Sequence, residues 1–205
     1  MASELEWKYA VPDDDRLGEI LNWVIRNIPE AGPAERFRMR TTYYDAPDRR
    51  FARANMTLRR RMENGRSVLC VKAPAQDVAG APGAKQRGEW EHEGTDLPAA
   101  LPEFVAQGAP KILLEAADCG LEPVCGAEFE RTAIPLSFPD GSRSELAFDS
   151  GRLLGEKRTC PLCEMELERK AGAVSASLRL LEQLVRRFDL LPEPMSKYAR
   201  AKRLG

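Results

Sequence analysis

Apolar and charged residues alternate along two segments near opposite ends of the chain. Residues 4–9 read Glu-Leu-Glu-Trp-Lys-Tyr, and residues 164–168 read Glu-Met-Glu-Leu-Glu. Because successive side chains of a strand point to opposite faces, each segment is predicted to be a strand with one charged face and one apolar face. A row of carboxylates on one face favours a bound cation, and hard divalent cations prefer oxygen ligands.

Segments of period two, separated by turn signals, predict further strands along the chain. The dipeptide Asn64-Gly65 is a strong hairpin signal between two of them. Residues 75–85 are mostly small, and we expect them to form a loop. The strands are predicted over residues 3–12, 36–45, 54–63, 67–74, 86–93, 124–134, 143–153 and 160–169.

Apolar residues at intervals of three and four predict a smaller number of helices. The first is predicted over residues 13–28, between an aspartate N-cap and the helix-ending Pro29. The others are predicted over residues 173–188 and 195–203, with two short helices within residues 98–118. Eight or nine strands, mostly linked by hairpins, with few helices indicate an α+β fold built on a closed or nearly closed antiparallel barrel.

The charged faces of these strands leave two arrangements open. A barrel could hold the charges in a wet tunnel while helices cover its apolar outer surface, or a sandwich could turn its charged faces to water. The placement of the basic residues favours the tunnel, because cations opposite a carboxylate row suit a polyphosphate bridged by metal ions. These basic residues are Arg59, Arg61, Lys72, Arg87, Arg131, Lys197 and Arg200.

Composition narrows the class of protein. The 205 residues predict a single domain over residues 1–205, and a hydrophobic content of 43% is sufficient for a core. The balance of 31 basic and 32 acidic residues argues against a nucleic-acid partner. Apolar runs fall short of the roughly 20 residues of a membrane span. The acidic N-terminus also lacks a signal-peptide core, so we expect a cytoplasmic protein with no membrane partner.

The cysteine content raises the alternative of a zinc or redox site. Five cysteines, an odd number, argue against a disulfide framework. Cys160 and Cys163 have the spacing of half a zinc site, which Cys119 and Cys125 could complete. Because the second pair is spaced more widely than is usual for zinc ligands, we favour scattered buried or turn cysteines.

Taken in order, the motifs resemble those of the CYTH domain, the family of triphosphate tunnel metalloenzymes. The hallmark Glu-x-Glu-x-Lys is matched by Glu4, Glu6 and Lys8. Ala46 stands where the family often has Thr, a change that we expect to matter little. Further matching segments cover nearly the whole chain, at residues 42–48, 58–61, 71–72, 87–91, 164–172 and 196–200.

This resemblance implies a fold and an activity. The implied fold is a tunnel of eight antiparallel strands with helices packed outside, and the implied reaction acts on a triphosphate with Mg²⁺ or Mn²⁺. The motifs are most similar to those of bacterial inorganic triphosphatases, which implies hydrolysis of inorganic tripolyphosphate to pyrophosphate and phosphate. We expect the helical, histidine-rich domain that some members append to be absent, and we consider a homodimer plausible.

The resemblance also assigns roles to individual residues. Glu6, Glu166 and Lys8 are the predicted catalytic residues, with Lys8 either stabilising leaving-group charge or orienting the attacking water. The implied metal ligands are Glu4, Glu6, Asp149, Glu164 and Glu166. The implied triphosphate contacts are Lys8, Arg59, Arg61, Lys72, Arg131 and Lys197, and further contacts are Arg87, Glu91 and Arg200.

Three other functions stay open on the sequence alone. A class IV adenylate cyclase needs a pocket for adenine, and a thiamine triphosphatase needs apolar or aromatic contacts, which Tyr43 and Tyr44 could supply. A non-catalytic module for polyphosphate or nucleotides is disfavoured, because binding alone favours basic residues over mutually repelling carboxylates.

Overall fold

The computed structural model describes residues 2–74, 76–77 and 83–205. Ten antiparallel strands lie in one sheet in this part of the chain, and eight of them close into a barrel. The strands are β1 Ala2–Ala10, β2 Glu35–Asp45, β3 Thr57–Glu63, β4 Arg66–Lys72, β5 Gln76–Asp77, β6 Lys85–Glu93, β7 Glu122–Ser137, β8 Arg143–Leu154, β9 Thr159–Ala171 and β10 Leu191–Pro192.

The barrel closes because β1 pairs with β9 on one side and with β6 on the other. The order around it is β1-β9-β8-β7-β2-β3-β4-β6, and the short strands β10 and β5 pair with β1 and β6. The predicted closed antiparallel barrel is therefore confirmed. It has no open edge between its eight strands, so each of them is paired on both sides.

Alternation along most strands of the barrel turns charged side chains inward and apolar side chains outward; β2 is the exception, since Phe37, Met39 and Tyr43 line the interior. In β1, Glu4 and Glu6 face the interior, whereas Leu5 and Trp7 are buried in an outer core. Small barrels usually fill their interior with apolar side chains. The reversed polarity of this barrel fits the tunnel rather than the sandwich.

Helices cover the apolar outer surface in two groups. Ile20 and Leu184 belong to the helices that pack over β1, β8 and β9, and Phe104 belongs to the group that packs over β3, β4 and β6. None of the described helices is long and apolar enough to cross a membrane. The helices are α1 Asp14–Asn27, α2 Arg50–Arg53, α3 Leu97–Ala106, α4 Ile112–Asp118, α5 Ser175–Phe188 and α6 Lys197–Lys202.

Helix α6 packs against β7 and β8 and sets the position of Lys197 at its first turn. The Ser196 side chain caps this helix by accepting a hydrogen bond from the Ala199 N–H at 3.1 Å. Ala201 is fully buried in a third apolar cluster, together with Phe129 and Leu162. Phe129 also lines the cavity of the barrel, so α6 anchors its N-terminus beside the charged interior.

The predicted elements agree with the structure except in short or irregular segments. The first helix, with Asp13 as its N-cap, and the hairpin at Asn64-Gly65 are confirmed. The loop predicted over residues 75–85 is wrong at residues 76–77, which form β5, and at Lys85, where β6 begins, while residues 75 and 78–82 lie outside the described residues. Neither α2 nor β10 was predicted.

The zinc alternative does not fit the strand geometry. Cys160 and Cys163 both lie in β9, three residues apart, so their side chains point to opposite faces of the sheet. Cys160 packs in the cluster around Ala201, whereas Cys163 lies near Asp14 of α1, with its sulfur 3.8 Å from the carboxylate. Two such cysteines cannot hold one metal ion between them.

Candidate active site in the barrel interior

The barrel interior holds a cavity of about 300 Å³ whose wall is dominated by charged side chains. Strand alternation delivers these charged side chains from seven of the eight strands of the barrel, β2 being the exception, and α6 adds Lys197. Three residues of the predicted set, Asp149, Glu164 and Arg200, are absent from this lining and lie behind it. Those that line the cavity are Glu4, Glu6, Lys8, Arg59, Arg61, Lys72, Arg87, Glu91, Arg131, Glu166 and Lys197.

Three of the predicted metal ligands come together in one group. Asp149 of β8 is the register partner of Glu164 of β9, and Glu166 lies two residues further along the same face. Each of the three offers a carboxylate oxygen, and these oxygens lie within 4.8 Å of one another. A buried donor set made only of carboxylate oxygens fits a hard divalent cation such as Mg²⁺ or Mn²⁺.

Basic side chains compensate the charge of this carboxylate group. Arg131 contacts both oxygens of Asp149 at 2.7 Å and one oxygen of Glu166 at 2.6 Å. Lys8, the register partner of Glu166, lies 3.2 Å from it. Burial acts to raise the pKa of Glu166, but the charges of Lys197, Lys8 and Arg131 outweigh it and hold this pKa well below its usual range. Glu166 is therefore ionised at neutral pH.

A second charged group forms where β1 meets β6 and β4. Lys72 contacts Glu4 at 2.7 Å and Glu89 at 3.1 Å. Burial acts to lower the pKa of Lys72, yet the neighbouring carboxylates raise it. Burial likewise acts to raise the pKa of Glu89, but Lys72 and Arg59 bring it down to about 2. Lys72 and Glu89 thus form a buried, ionised pair within this group.

Glu6 lies between the two groups. It forms an ion pair with Arg87, and its carboxylate lies 3.9 Å from the ammonium group of Lys8. Burial acts to raise the pKa of Glu6, but Lys8 is the main charge that lowers it. Glu4 and Glu6 are thus paired with cations of β1 and of the nearby strands β6 and β4, and they do not belong to the group around Asp149.

Two arginines of β3 retain unused donors inside the barrel. Arg59 lies 3.4 Å from Glu89, and Arg61 lies 3.3 Å from Glu91, each through a terminal nitrogen. Their Nε atoms are buried and have no hydrogen-bond partner among the described residues. A buried donor without a partner costs free energy of folding. Such donors, side by side on one wall, are suited to the oxygens of an anionic ligand.

Sequence analysis gave no role to several interior residues, among them Glu89 and Cys70. Glu89 pairs with Lys72 and Arg59, and its position between Arg87 and Glu91 on one strand face was the available signal. Cys70 lies on β4 with its thiol 3.1 Å from Glu89. Burial raises the pKa of Cys70 to about 12, so it is a neutral thiol. An isolated cysteine in an apolar strand carries no sequence signal for such a position.

The opening of the cavity beside α6 is partly aromatic. Tyr43 of β2 and Tyr198 of α6 both line the cavity, with ring centroids 5.2 Å apart. Burial is the main cause that raises the pKa of Tyr198 to about 12. Tyr198 is therefore neutral, and the aromatic pair borders a cavity that is otherwise strongly charged.

Comparison with known protein families gives one match over nearly the entire chain. The family described as the CYTH domain matches residues 2–201. The inorganic triphosphatase of Haemophilus influenzae is 29% identical over 167 residues, which are 80% of this chain and 45% of that protein. The match thus covers less than half the length of this relative.

Solved structures resemble the fold at low sequence identity. A Hippeastrum protein, described as a candidate adenylyl cyclase with a dominant triphosphatase activity, has a TM-score of 0.61 and 16% identity over 96% of this chain and 93% of its own. A protein from Pyrococcus horikoshii OT3 has a TM-score of 0.57 and 19% identity over 96% of this chain and 97% of its own. At these identities the likeness concerns the fold alone.

Proposed function

Because the chain belongs to the CYTH domain family, we propose that it hydrolyses a triphosphate with Mg²⁺ or Mn²⁺, and that its substrate is inorganic tripolyphosphate. The observation that carries this proposal is the composition of the cavity wall. One cavity of about 300 Å³ is lined by Glu166 of the buried carboxylate group and by Arg59 and Arg61, whose Nε donors have no partner among the described residues. The inorganic triphosphatase of Haemophilus influenzae, 29% identical in the matched region, supports the same substrate.

The carboxylates divide into ligands and supporting groups. Asp149, Glu164 and Glu166 would hold the cation, and Glu4 and Glu6 face the cavity from β1 as further ligands. When bound, the metal supplies Lewis-acid polarisation of phosphate oxygens and lowers the pKa of a bound water. Burial acts to raise the pKa of Asp149, Glu166 and Glu6, but nearby cations lower it overall. At Glu164, by contrast, burial dominates and raises the pKa.

The guanidinium groups bind and orient the phosphate chain. Arg59 and Arg61 share one face of β3 and lie two residues apart, so their planar forks point into the same part of the cavity. Their Nε donors have no partner among the described side chains and are available for phosphate oxygens. Lys72 and Arg87 extend the positive wall towards β1. Fixed cations of this kind stabilise the charge that develops during phosphoryl transfer.

Lys8 acts as a charged donor in this account. Its ammonium group is largely buried between Glu166 at 3.2 Å and Glu6 at 3.9 Å. Burial acts to lower the pKa of Lys8, but Glu166 and Glu6 raise it. A lysine that stays protonated cannot remove a proton from water. It can donate a hydrogen bond to an oxygen of the leaving phosphate or to the oxygen of the attacking water, so both roles considered for it are compatible with a protonated Lys8.

A second candidate substrate is an organic triphosphate. Tyr43 and Tyr198 offer an aromatic surface at the cavity, which could contact the organic group of thiamine triphosphate or the adenine of ATP. Cyclisation of ATP, the adenylate cyclase reaction, belongs to this alternative. We favour tripolyphosphate because charged side chains make up most of the cavity wall. With ATP as the substrate, the relative amounts of phosphate and cyclic AMP formed distinguish hydrolysis from cyclisation.

The variant Glu6→Gln tests the assigned site. It keeps the size of the side chain but removes a carboxylate from the cavity, so phosphate release from tripolyphosphate with Mn²⁺ is expected to fall roughly a hundredfold or more. Glu130→Gln is the matched control, because Glu130 is exposed on the outer face of β7. Thermal melting shows whether each variant folds. Wild-type turnover by folded Glu6→Gln protein would disprove the assigned site.

A further inference from the structure

The ammonium group of Lys197 lies at the centre of the three-carboxylate group. Its Nζ atom lies 2.7 Å from Oδ2 of Asp149 and 3.1 Å from Oε1 of Glu166, and it also contacts Oε1 of Glu164. The side chain is about nine-tenths buried. Lys197 therefore contacts one oxygen of each of the three carboxylates, as a coordinated cation would.

A metal ion and this ammonium group compete for the same space. Mg²⁺ binds carboxylate oxygens at about 2.1 Å. A cation coordinated by the three oxygens that Lys197 contacts would therefore overlap with its Nζ atom. Two cations so close together also repel each other strongly, because the effective dielectric constant of a protein site is well below that of water.

We propose that Lys197 is the resident counter-ion of this carboxylate group and that a divalent cation enters by displacing its ammonium group. The inference rests on the proposed function in one respect, namely that the incoming cation is the metal of the reaction. It goes further by assigning Lys197 two positions. In one it neutralises the carboxylates, and in the other it lies free in the cavity.

Lys197 is better suited to leave than Arg131, which also contacts two of the three carboxylates. Arg131 extends from the middle of β7 and contacts both oxygens of Asp149 at 2.7 Å, so strand and side chain both fix it. Lys197 is held by a flexible stem of four carbons at the start of α6. Ser196 and Ala201 anchor this helix independently, so the ammonium group can swing out while the helix stays in place.

The exchange gives a reason for ordered binding. A divalent cation that enters the carboxylate group adds two positive charges to the cavity, and the displaced ammonium group loses its carboxylate partners. Lys197 lines the cavity together with Arg59 and Arg61, so its freed ammonium group would be available to phosphate. Metal binding thereby creates the positive charge that a triphosphate needs, and the metal is expected to bind before the substrate.

Binding of Mn²⁺ alone tests the exchange without any turnover. The protein is first stripped of divalent cations with EDTA, and free Mn²⁺ is then measured by electron paramagnetic resonance during a titration. Lys197→Met removes the competing charge, so it is expected to bind Mn²⁺ at least about tenfold more tightly than the wild type. Lys202→Met, in the same helix but partly exposed, is the control and is expected to keep wild-type affinity. Unchanged or weaker binding by Lys197→Met, or equal tightening in both variants, would overturn the proposal.

A second measurement follows the wild-type side chain directly, in case Lys197→Met does not fold. Lysine-selective NMR during a titration with diamagnetic Mg²⁺ is expected to show a large shift of one ammonium signal. This signal is assigned to Lys197 by its absence from the spectrum of Lys197→Arg. An unmoved Lys197 signal at saturating Mg²⁺ would refute the exchange.

The two proposals fail in different ways. Hydrolysis of tripolyphosphate by the wild type, combined with unchanged Mn²⁺ affinity in Lys197→Met, would overturn the exchange and keep the proposed function. Tighter Mn²⁺ binding in that variant, combined with a wild type that does not hydrolyse tripolyphosphate, would support the exchange and overturn the proposed function.

Discussion

Arg59 and Arg60 are neighbours in β3, but alternation sends them to opposite faces of the sheet. Arg59 lies in the cavity with its side chain 12% exposed, whereas the guanidinium group of Arg60 lies 6.0 Å from the Tyr44 ring on the outer face. They therefore form a natural pair for testing substrate binding. The same substitution can be made at both positions, and of the two only Arg59 lines the cavity.

Arg59→Lys is expected to raise the KM for tripolyphosphate roughly tenfold, because lysine keeps the charge but loses the planar fork that binds two phosphate oxygens. Arg60→Lys is expected to keep the wild-type KM. Steady-state phosphate release measures both variants. Equal KM values for the two variants would show that the Arg59 fork does not contact the substrate.

The lowered pKa of Glu89 predicts how the stability of the fold changes at acidic pH. Its pKa of about 2 in the folded protein lies below the ordinary value of 4.5. A lowered pKa means that the folded state favours the ionised carboxylate. This contribution to stability is fully present above about pH 4.5 and is lost as the pH falls towards 2.

Glu89→Gln is accordingly expected to lower the free energy of unfolding at pH 7 by roughly 1–3 kcal/mol, because Lys72 loses a buried partner. Between pH 4.5 and pH 2.5 the variant is expected to lose less stability than the wild type. Urea unfolding at a series of pH values measures both effects, and exposed Glu130→Gln is the control. Identical pH dependence in wild type and Glu89→Gln would contradict the assigned ion pairs.

At the scale of the residue, sequence patterns predict which face of a strand a side chain occupies better than they predict which residue it pairs with. Period-two spacing correctly placed Glu4, Glu6 and Lys8 on one charged face, and the structure turns that face inward. It could not show that Lys72 pairs with Glu4, because the two residues are 68 positions apart in the sequence and meet only when the barrel closes. Nor could it show that Lys197 reaches the carboxylates of β9.

The β3–β4 hairpin gives a prediction at the scale of the element. Asn64 and Gly65 have φ values of 48° and 92°, which the tight turn between the two strands requires. A Cβ added at Gly65 would meet nothing within 4 Å, so the cost of substitution comes from the backbone conformation alone. A substitution at Gly65 therefore tests backbone conformation rather than packing.

Gly65→Ala is expected to lower the free energy of unfolding by roughly 1 kcal/mol, because alanine disfavours positive φ. Gly18→Ala is the control, and it is expected to change the free energy of unfolding in the opposite direction. Gly18 lies in α1 with nothing within 4 Å of an added Cβ, and alanine there is expected to stabilise the protein by up to about 1 kcal/mol. Thermal or urea unfolding measures both changes. A destabilising Gly18→Ala, or a neutral Gly65→Ala, would contradict this account.

Elements with a strong local signal were predictable, and elements set by neighbours were not. The first helix has a cap, an apolar stripe and a terminating proline within 17 residues of sequence, residues 13–29. By contrast, β7 continues past the predicted end at residue 134, through Pro135, whose carbonyl accepts a hydrogen bond from Gly32. Two-residue β10 exists because β1 offers it an antiparallel partner.

At the scale of the whole molecule, the near-zero net charge has a structural explanation. The protein carries 31 basic and 32 acidic residues, and many of them pair inside the barrel. The tunnel and its outer helices were predictable from alternation and from the family resemblance. The closure itself depends on the pairing of β1 with β6, about 80 residues apart, which no local pattern specifies.

Phosphate release from tripolyphosphate by the purified protein, with Mg²⁺, Mn²⁺ or EDTA, tests the central claim most directly. ATP and thiamine triphosphate are assayed in parallel. The account predicts that tripolyphosphate is hydrolysed fastest, that either metal supports the reaction, and that EDTA abolishes it. A folded protein that releases no phosphate from tripolyphosphate with either metal would contradict the account.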